Sequence, residues 1–259
     1  MSNKVGDIAK SSETSNLVIE INNLSKGFDD LQVLKNLSLN LFNGENLVVL
    51  GKSGSGKSVL IKCIVRLINS DRGTIKVFGK NVNELKSKEL SKLRQKIGFL
   101  FQSGALYDSM TIKQNLEFPL IRIKKKLTKK ERDEKIEEVL ENVGLTDTLH
   151  KMPSELSGGM RKRASLARTI IVDPMIMLYD EPTTGLDPET SSGISTLIND
   201  VQKKYNTSSI IITHDIECAR ATADRIIMLK DGDVYMEGNI DEFENSSDET
   251  IQSFFKEKP

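Results

Sequence analysis

Short apolar runs alternate with amphipathic stretches through the first third of the chain. From Leu17, the runs "LVIEINNLSK" and "VLKNLSLNLF" favour strands, and "ENLVVLG" is a continuous apolar run of the kind found in strands buried on both faces. The segment "SVLIKCIVRLI" that follows has helical spacing of its apolar residues, and "GTIKVFGKNV" predicts an edge hairpin. Strands therefore precede and follow a helix in this part.

The middle of the chain, about 87–172, has a mostly helical pattern. In "LTKKERDEKIEEVLENVGL", Thr128 and Glu131 have the spacing of a capping box, and Gly144 stands where the helix is expected to end. One stripe of this helix is apolar. Its members are Ile136, Val139, Leu140 and Val143.

Strand patterns return after the helical part. "PMIMLYDEP" and "SSIIITHD" predict two more buried strands, and "RIIMLKDGDVYMEGN" predicts a terminal hairpin. Alternating strands and helices favour an α/β fold with a mostly parallel core sheet, an inserted helical subdomain at about 87–172 and an antiparallel β part. This domain is predicted to span 17–240.

The two ends of the chain differ from this domain. Residues 1–16 are small and polar and are predicted to be disordered, with no apolar segment of a secretory signal. The extension 241–259 carries Phe243, Ile251, Phe254 and Phe255. Two interpretations stay open: a short helix folded back on its own domain, or a segment that docks onto a partner chain.

Composition excludes several classes of function. Thirty-seven basic residues balance thirty-seven acidic ones, so the net charge gives no reason to expect a nucleic-acid partner. Two distant cysteines, Cys63 and Cys218, have no metal-binding spacing and are predicted to pack in the interior of a cytosolic protein. No run of about 18 apolar residues could span a bilayer.

The segment "GKSGSGKS" matches the pattern G-x-x-x-x-G-K-[ST], after an apolar strand and before a helix. Its glycines let backbone N–H groups turn toward phosphate oxygens, Lys57 is expected to reach the β- and γ-phosphates, and Ser58 to hold Mg²⁺. The sequence thus predicts a site for ATP. The residues assigned to nucleotide binding in this loop are Gly51, Ser53, Gly54, Ser55, Gly56, Lys57, Ser58 and Val59.

Polar side chains follow three other apolar strands. Asp180 ends "IMLYD" and can hold Mg²⁺, while Glu181, the next residue, can orient or deprotonate the attacking water. His214 is expected to contact the γ-phosphate, since nucleotides bind at the carboxyl edge of such sheets. Gln102 could bind Mg²⁺ or position water. Phe28, in "LSKGFDD", could stack on adenine.

A second anion seat is predicted in "PSELSGGMRKRASLAR", where Ser157, Gly158 and Gly159 open a helix. With "LSGGM" as a signature between the P-loop and the acidic strand, the chain resembles the ATP-binding subunits of ABC transporters. The resemblance implies Phe28 as the adenine-stacking aromatic, Gln102 as the Q-loop, "GLD" as the D-loop and His214 as the switch histidine. It also implies a head-to-tail pair of two copies, in which the signature of one copy contacts the γ-phosphate held by the other, and a separate membrane permease.

The sequences of several segments narrow the resemblance from the ABC family to one subfamily. Met160 stands where the family signature usually has glutamine, and "FQSGALYDSMTIKQNLEFPL" with "YDEPTTGLDP" resembles the ATPases of the maintenance-of-lipid-asymmetry (Mla) type. That likeness implies phospholipid transport between inner and outer membranes, a mammalian-cell-entry (MCE) substrate-binding protein as partner, a position on the cytoplasmic face of the inner membrane, and a C-terminal extension that clasps the opposite ATPase.

Three other kinds of protein share some of these residues. An ABC importer or exporter for another substrate has the same motifs. A soluble ABC ATPase of DNA repair or translation would need a long coiled-coil insertion or two tandem cassettes, and the chain has one P-loop. A P-loop kinase would use Lys57 and Asp180 but would leave "LSGGM" and His214 without a role.

Overall fold

Two β-sheets and a group of helices form the part of the protein described by the computed structural model, residues 16–256. The predicted disordered tail, 1–16, lies outside the described residues except for Asn16. The carbonyl of Asn16 accepts a hydrogen bond from the backbone N–H of Asn43 at 2.8 Å. Within the described range, the strands begin where the sequence turns apolar. They are β1 Leu17–Phe28, β2 Leu31–Phe42, β3 Asn46–Leu50, β4 Arg72–Val77, β5 Lys80–Asn81, β6 Ile97–Leu100, β7 Ile176–Asp180, β8 Ser208–Thr213, β9 Arg225–Lys230 and β10 Asp233–Gly238.

The strands pair as the sequence predicts. A four-stranded sheet has the order β2-β1-β4-β5 and is antiparallel, with the short β5 at its edge. A six-stranded sheet has the order β10-β9-β3-β8-β7-β6, and all its neighbours are parallel except the terminal pair β9–β10. The predicted α/β fold, with a mostly parallel core and an antiparallel β part, is confirmed.

The helices cover the parallel sheet and fill the insertion. Thr128 caps one of them, since its Oγ1 accepts from the N–H of Glu131 while the Glu131 carboxylate accepts from the N–H of Thr128, so the predicted capping box is present. Short 3₁₀ turns lie at Val82–Glu84, Thr146–Thr148 and Pro153–Glu155. The helices are α1 Lys57–Ile64, α2 Ser87–Arg94, α3 Ile112–Ile123, α4 Lys129–Asn142, α5 Gly158–Ile170, α6 Pro188–Tyr205, α7 Ile216–Thr222, α8 Ile240–Glu244 and α9 Glu249–Lys256.

The segment 87–172 is helical apart from β6. This strand pairs in parallel with β7, so it belongs to the core sheet although it lies inside the range predicted to be a helical subdomain. The apolar run that stops before Gln102 predicts this strand, and β6 confirms it. The strand brings the segment that follows it to the same edge of the sheet as the ends of β7 and β8.

The core lies on both faces of the parallel sheet. Successive residues of β3 alternate between two apolar clusters, Val48 and Leu50 in one and Leu47 and Val49 in the other, because side chains of a strand point to opposite faces in turn. This is the physical reason for the continuous apolar runs in the sequence.

The C-terminal extension folds back on its own domain. Phe243 of α8 and Ile251 of α9 are 1% and 2% exposed and belong to the larger core cluster. This packing agrees with the first of the two interpretations of the extension. The predicted clasp on an opposite ATPase stays a prediction.

Two sequence expectations about the interior can be compared directly. Cys63 and Cys218 are free thiols buried in the core, and burial raises the pKa of each to about 11. In the described range, no helix is both long and apolar enough to cross a bilayer.

Candidate active site

The P-loop, 51–58, joins β3 to α1 and wraps its own lysine. Gly56, just before the helix, has a φ of +98°, a conformation that favours glycine. The ammonium of Lys57 donates to the carbonyls of Gly51 at 2.6 Å and Lys52 at 3.0 Å. The loop is therefore closed around a side chain that is only 5% exposed.

Two carboxylates face this buried ammonium. Burial lowers the pKa of Lys57, and the negative charges of Glu181 and Asp180 oppose that shift. The Nζ of Lys57 lies 3.8 Å from Oε1 of Glu181. Because backbone carbonyls supply only partial charges, an anionic phosphate in the loop would give Lys57 a stronger partner.

Asp180 ends β7 and meets the P-loop helix. The hydroxyl of Ser58 donates to Oδ1 of Asp180 at 2.8 Å, and both side chains belong to the set predicted to hold Mg²⁺. A hydroxyl, a carboxylate and the amide of Gln102 are the oxygen donors that Mg²⁺ prefers, so the residues fit this ion provided that phosphate and water complete its shell. The described residues contain no cluster of three or more His, Cys, Asp or Glu side chains arranged for a metal.

Glu181 has a strained backbone and a well-defined side chain. Its φ is +51°, a left-handed conformation that is uncommon for residues other than glycine. Oε2 of Glu181 lies 2.8 Å from Nδ1 of His214 and accepts from the hydroxyl of Thr184 at 3.2 Å. The carboxylate is thereby held at the mouth of the P-loop.

A pocket of about 1310 Å³ lies above these groups. It brings together the ends of three neighbouring strands, since Gln102 follows β6, Glu181 follows β7 and His214 follows β8. The pocket is also lined by the P-loop residues Lys52, Ser53, Gly54, Gly56, Lys57, Ser58 and Val59. The structure thus joins the predicted hydrolytic residues to most of the predicted phosphate loop.

Two groups of predicted residues lie apart from this pocket. Phe28, at the end of β1, is 44% exposed and is absent from the pocket lining, with Nζ of Lys26 5.1 Å from its ring centroid. Ser157 caps α5, and its Oγ accepts from the N–H of Met160 at 3.2 Å. Ser157 and Gly158 are exposed and are not among the residues that line the pocket with the P-loop.

Sequence reasoning missed two residues near the site. Thr184 was passed over, although its hydroxyl holds Glu181. Lys162 of α5 was also passed over, and it is only 7% exposed. A signal existed for Lys162, because Gly159, Lys162, Leu166 and Ile170 share the helical spacing of a buried stripe.

The C-terminal helix α9 forms one wall of the pocket, a contact that the sequence did not predict. Phe254 and Phe255 of α9 line the same pocket as Lys57, and Nζ of Lys52 lies 5.9 Å from the ring centroid of Phe254. The predicted tail residues are therefore neighbours of the P-loop within the same chain.

A protein-family model described as ABC transporter matches residues 34–184. The chain is 39% identical over 246 residues to the methionine import ATP-binding protein MetN of Bartonella henselae, covering 92% of this chain and 70% of that protein. It is 42% identical over 211 residues to the probable ribonucleotide transport ATP-binding protein mkl of Mycobacterium tuberculosis, covering 82% of this chain and 58% of that protein.

Solved structures give the same picture. The structure of cbiO1 of Clostridium perfringens, described as part of the ABC transporter complex cbiONQ, superposes with a TM-score of 0.80 at 29% identity, covering 86% of this chain and 89% of that one. A dimeric ATP-binding cassette, MJ0796, bound to ADP and Pi in a post-hydrolysis state, gives a TM-score of 0.78 at 34% identity, covering 86% and 98%.

Proposed function

The chain belongs to the ABC transporter ATP-binding family, and from this premise we propose how its residues hydrolyse ATP and which transport the hydrolysis drives. It is an ABC ATPase that binds and hydrolyses ATP. The observation that carries the residue assignment is the cluster at the pocket mouth, where Glu181 lies between Lys57 and His214. A cation for phosphate, a carboxylate for water and a histidine beside it are the groups that phosphoryl transfer to water requires.

On the P-loop side, Lys57 binds the β- and γ-phosphates once they replace the carbonyls that hold it now. Ser58 and Asp180, with Gln102, would hold Mg²⁺, which when bound offsets the negative charge of the phosphates. The backbone N–H groups at the start of α1 add the favourable end of a helix dipole.

At the water side, Glu181 is the group that orients and deprotonates the attacking water. Its Oε2 is held by His214 and Thr184, which leaves Oε1 toward Lys57 and the phosphate side. His214 is placed to hold both this carboxylate and a γ-phosphate. Phe28 remains a proposed adenine contact, supported by its exposed ring.

The outward seat of α5 supports a head-to-tail pair. Ser157, Gly158 and Gly159 begin a helix whose N-terminus does not line the chain's own pocket. The dimeric cassette MJ0796 with ADP and Pi is a relative that pairs. In the proposed dimer, each copy supplies the P-loop of one site and the signature of the other, so ATP stabilises the closed pair by binding it better than the open one.

The energy is used by a separate membrane permease. Tyr107, in the segment after Gln102, and Phe118 of α3 have ring centroids 5.1 Å apart, and we propose that this face receives a permease helix. Similarity of the loops to Mla-type ATPases supports phospholipid transport between inner and outer membranes, with an MCE-type partner and a position on the cytoplasmic face of the inner membrane. The predicted boundaries, 17–240 for the ATPase and 241–259 for the extension, belong to the same proposal.

A second candidate, methionine import, is favoured by one observation. A MetN protein matches this chain over 92% of its length. The curated relatives' printed names refer to methionine and ribonucleotides, and these substrates are properties of those proteins. The chain spans 58% of the length of the mycobacterial relative, so the activity of that whole protein does not transfer to it.

The test is to isolate the chain with its membrane partner from the native host and to reconstitute both in proteoliposomes. We expect ATP-dependent movement of a fluorescent phospholipid, lost in Glu181→Gln, and no ATP-dependent uptake of labelled methionine. Methionine uptake without lipid movement would assign the second candidate. Recovery of the chain without any membrane protein would contradict both.

A further inference from the structure

Lys162 is a charged residue on the buried stripe of α5. Lysine is rarely buried this completely, and removing an ammonium from water is costly unless polar groups surround it. The preceding residue of the helix, Arg161, is exposed, so a solvent-facing position lies next to Lys162 in the sequence. The position of Lys162 therefore calls for a physical explanation.

The ammonium of Lys162 bridges the ends of two strands. It donates to the carbonyl of Gln102 at 2.5 Å, just after β6, and lies 3.4 Å from the carbonyl of Glu181, just after β7. Burial lowers the pKa of Lys162, and the negative charges of Asp180 and Glu181 oppose this shift. Lys162 thus joins α5 to the backbone that follows two neighbouring strands of the core sheet.

Beyond Gln102, the segment after β6 stays in contact with α5 at Gly104 and Ala105. Gly104, with a φ of +80°, approaches so closely that a Cβ there would lie 2.6 Å from Oγ of Ser165. The Nη1 of Arg168 donates to the carbonyl of Ala105 at 2.5 Å. Positions 162, 165 and 168 succeed each other at a spacing of three, so they share one side of α5.

The same helix begins at the outward seat. Ser157 precedes Lys162 by five residues, about 7.5 Å along the axis at the usual rise of a helix.

We propose that Lys162 is a positioning residue that fixes the backbone at Gln102 and Glu181 to the signature helix. It thereby holds the backbone from which the Gln102 amide and the Glu181 carboxylate extend. The inference rests on the roles proposed above for Gln102 and Glu181. Lys162 contacts no substrate atom in this scheme and acts through the two carbonyls.

The test compares variants of the full-length chain by single-turnover hydrolysis of γ-labelled ATP, with protein in excess. For Lys162→Met we expect the rate constant to fall at least about tenfold while the Kd for ATP changes less than about twofold, because misplaced reacting groups slow chemistry rather than binding. Lys162→Arg should recover a rate within about threefold of the parent, because guanidinium also donates to carbonyls. Lys203→Met, at an exposed lysine of α6, is the matched control and should leave the rate unchanged.

Three results would overturn the inference. The first is a rate for Lys162→Met within about twofold of the parent, and the second is an equal loss of rate in the Met and Arg variants. The third is a loss of rate that is accompanied by a parallel rise in the Kd for ATP and by a lower unfolding temperature. If Lys162→Met does not fold, Lys162→Gln replaces it, since its amide still donates to one carbonyl. An intermediate rate is then expected, and a parental rate contradicts the proposal.

The Glu181→Gln variant separates this inference from the proposed function. If Glu181→Gln is slow and Lys162→Met is as fast as the parent, only the positioning role fails. If Glu181→Gln hydrolyses ATP at the parental rate, the role proposed for Glu181 fails first.

Discussion

Two helix N-termini in this chain are suited to phosphate, and they are built differently. α1 begins inside the pocket, after Gly56, and has no side-chain cap, but a buried lysine and two acids surround it. α5 begins at the surface, and Ser157 caps it with its own hydroxyl. The first brings the groups predicted to bind phosphate and Mg²⁺ together in one chain. The second offers N–H groups and a hydroxyl without an enclosing pocket.

The difference indicates that the two helix N-termini contribute differently to nucleotide binding. An enclosed site can hold a nucleotide by itself, whereas an open helix end contributes little until a charged group is brought to it by another molecule. Enclosure at α1 comes from strands that end together at one edge of the sheet, since Gln102, Glu181 and His214 follow β6, β7 and β8.

Removing the cation of the enclosed site should have the largest effect. In Lys57→Ala, ATP loses the buried ammonium that lies 3.8 Å from Oε1 of Glu181, so we expect turnover to fall by about 10²–10³-fold and ATP binding to weaken as well. Phosphate release and equilibrium binding of a fluorescent ATP analogue measure the two effects. Lys203→Ala on exposed α6 is the control, and unchanged turnover in Lys57→Ala would end the claim that α1 is the primary site.

Neutralising the carboxylate at the pocket mouth should separate binding from hydrolysis. Glutamine has the shape of Glu181 but cannot accept a proton, so Glu181→Gln should bind ATP normally and hydrolyse it about 10²-fold more slowly. The slow variant should accumulate as an ATP-bound dimer in size-exclusion chromatography. Glu189→Gln, at an exposed position in the first turn of α6, should behave as the parent. Parental turnover in Glu181→Gln would assign the base elsewhere.

Much of the enclosed site could be predicted from the sequence, because it depends on local patterns. The P-loop spacing fixes Lys57 and Ser58, and an apolar run that stops at a polar residue marks each strand end that carries Asp180 or His214. Parallel strands bring such ends to one edge. The fold class follows from the same alternation of strands and helices.

The rest depends on contacts between distant segments. No sequence pattern indicates the hydrogen bond from Thr184 to Glu181 or the +51° φ of Glu181. Lys162 reaches Gln102 across sixty positions, and a lysine in a polar helix is ordinarily solvated. The contact of Phe254 with Lys52 depends on how α9 packs, and the pattern left that open.

Altering the open seat should have the smallest effect of the three. Asp and Asn both cap helices well, so Ser157→Asp and Ser157→Asn keep the start of α5 intact. Aspartate places a negative charge where a neighbour's γ-phosphate would approach, and we expect about a tenfold loss of turnover in Ser157→Asp. Ser157→Asn is the neutral matched control and should remain within about threefold of the parent, with both rates measured at saturating ATP.

Mixing two variants tests whether the N-terminus of α5 in one copy acts on the nucleotide bound by the other copy. A Ser157→Asp chain and a Lys57→Ala chain together form heterodimers in which one site combines an intact P-loop with an intact seat, provided that each site uses two chains. The mixture should then hydrolyse ATP faster than either variant alone, up to one working site per heterodimer. If the seat served its own chain, each site would contain one of the two lesions, and mixing would restore nothing. That result would make the exposed N-terminus of α5 a surface feature, and the contrast with α1 would lose its functional meaning.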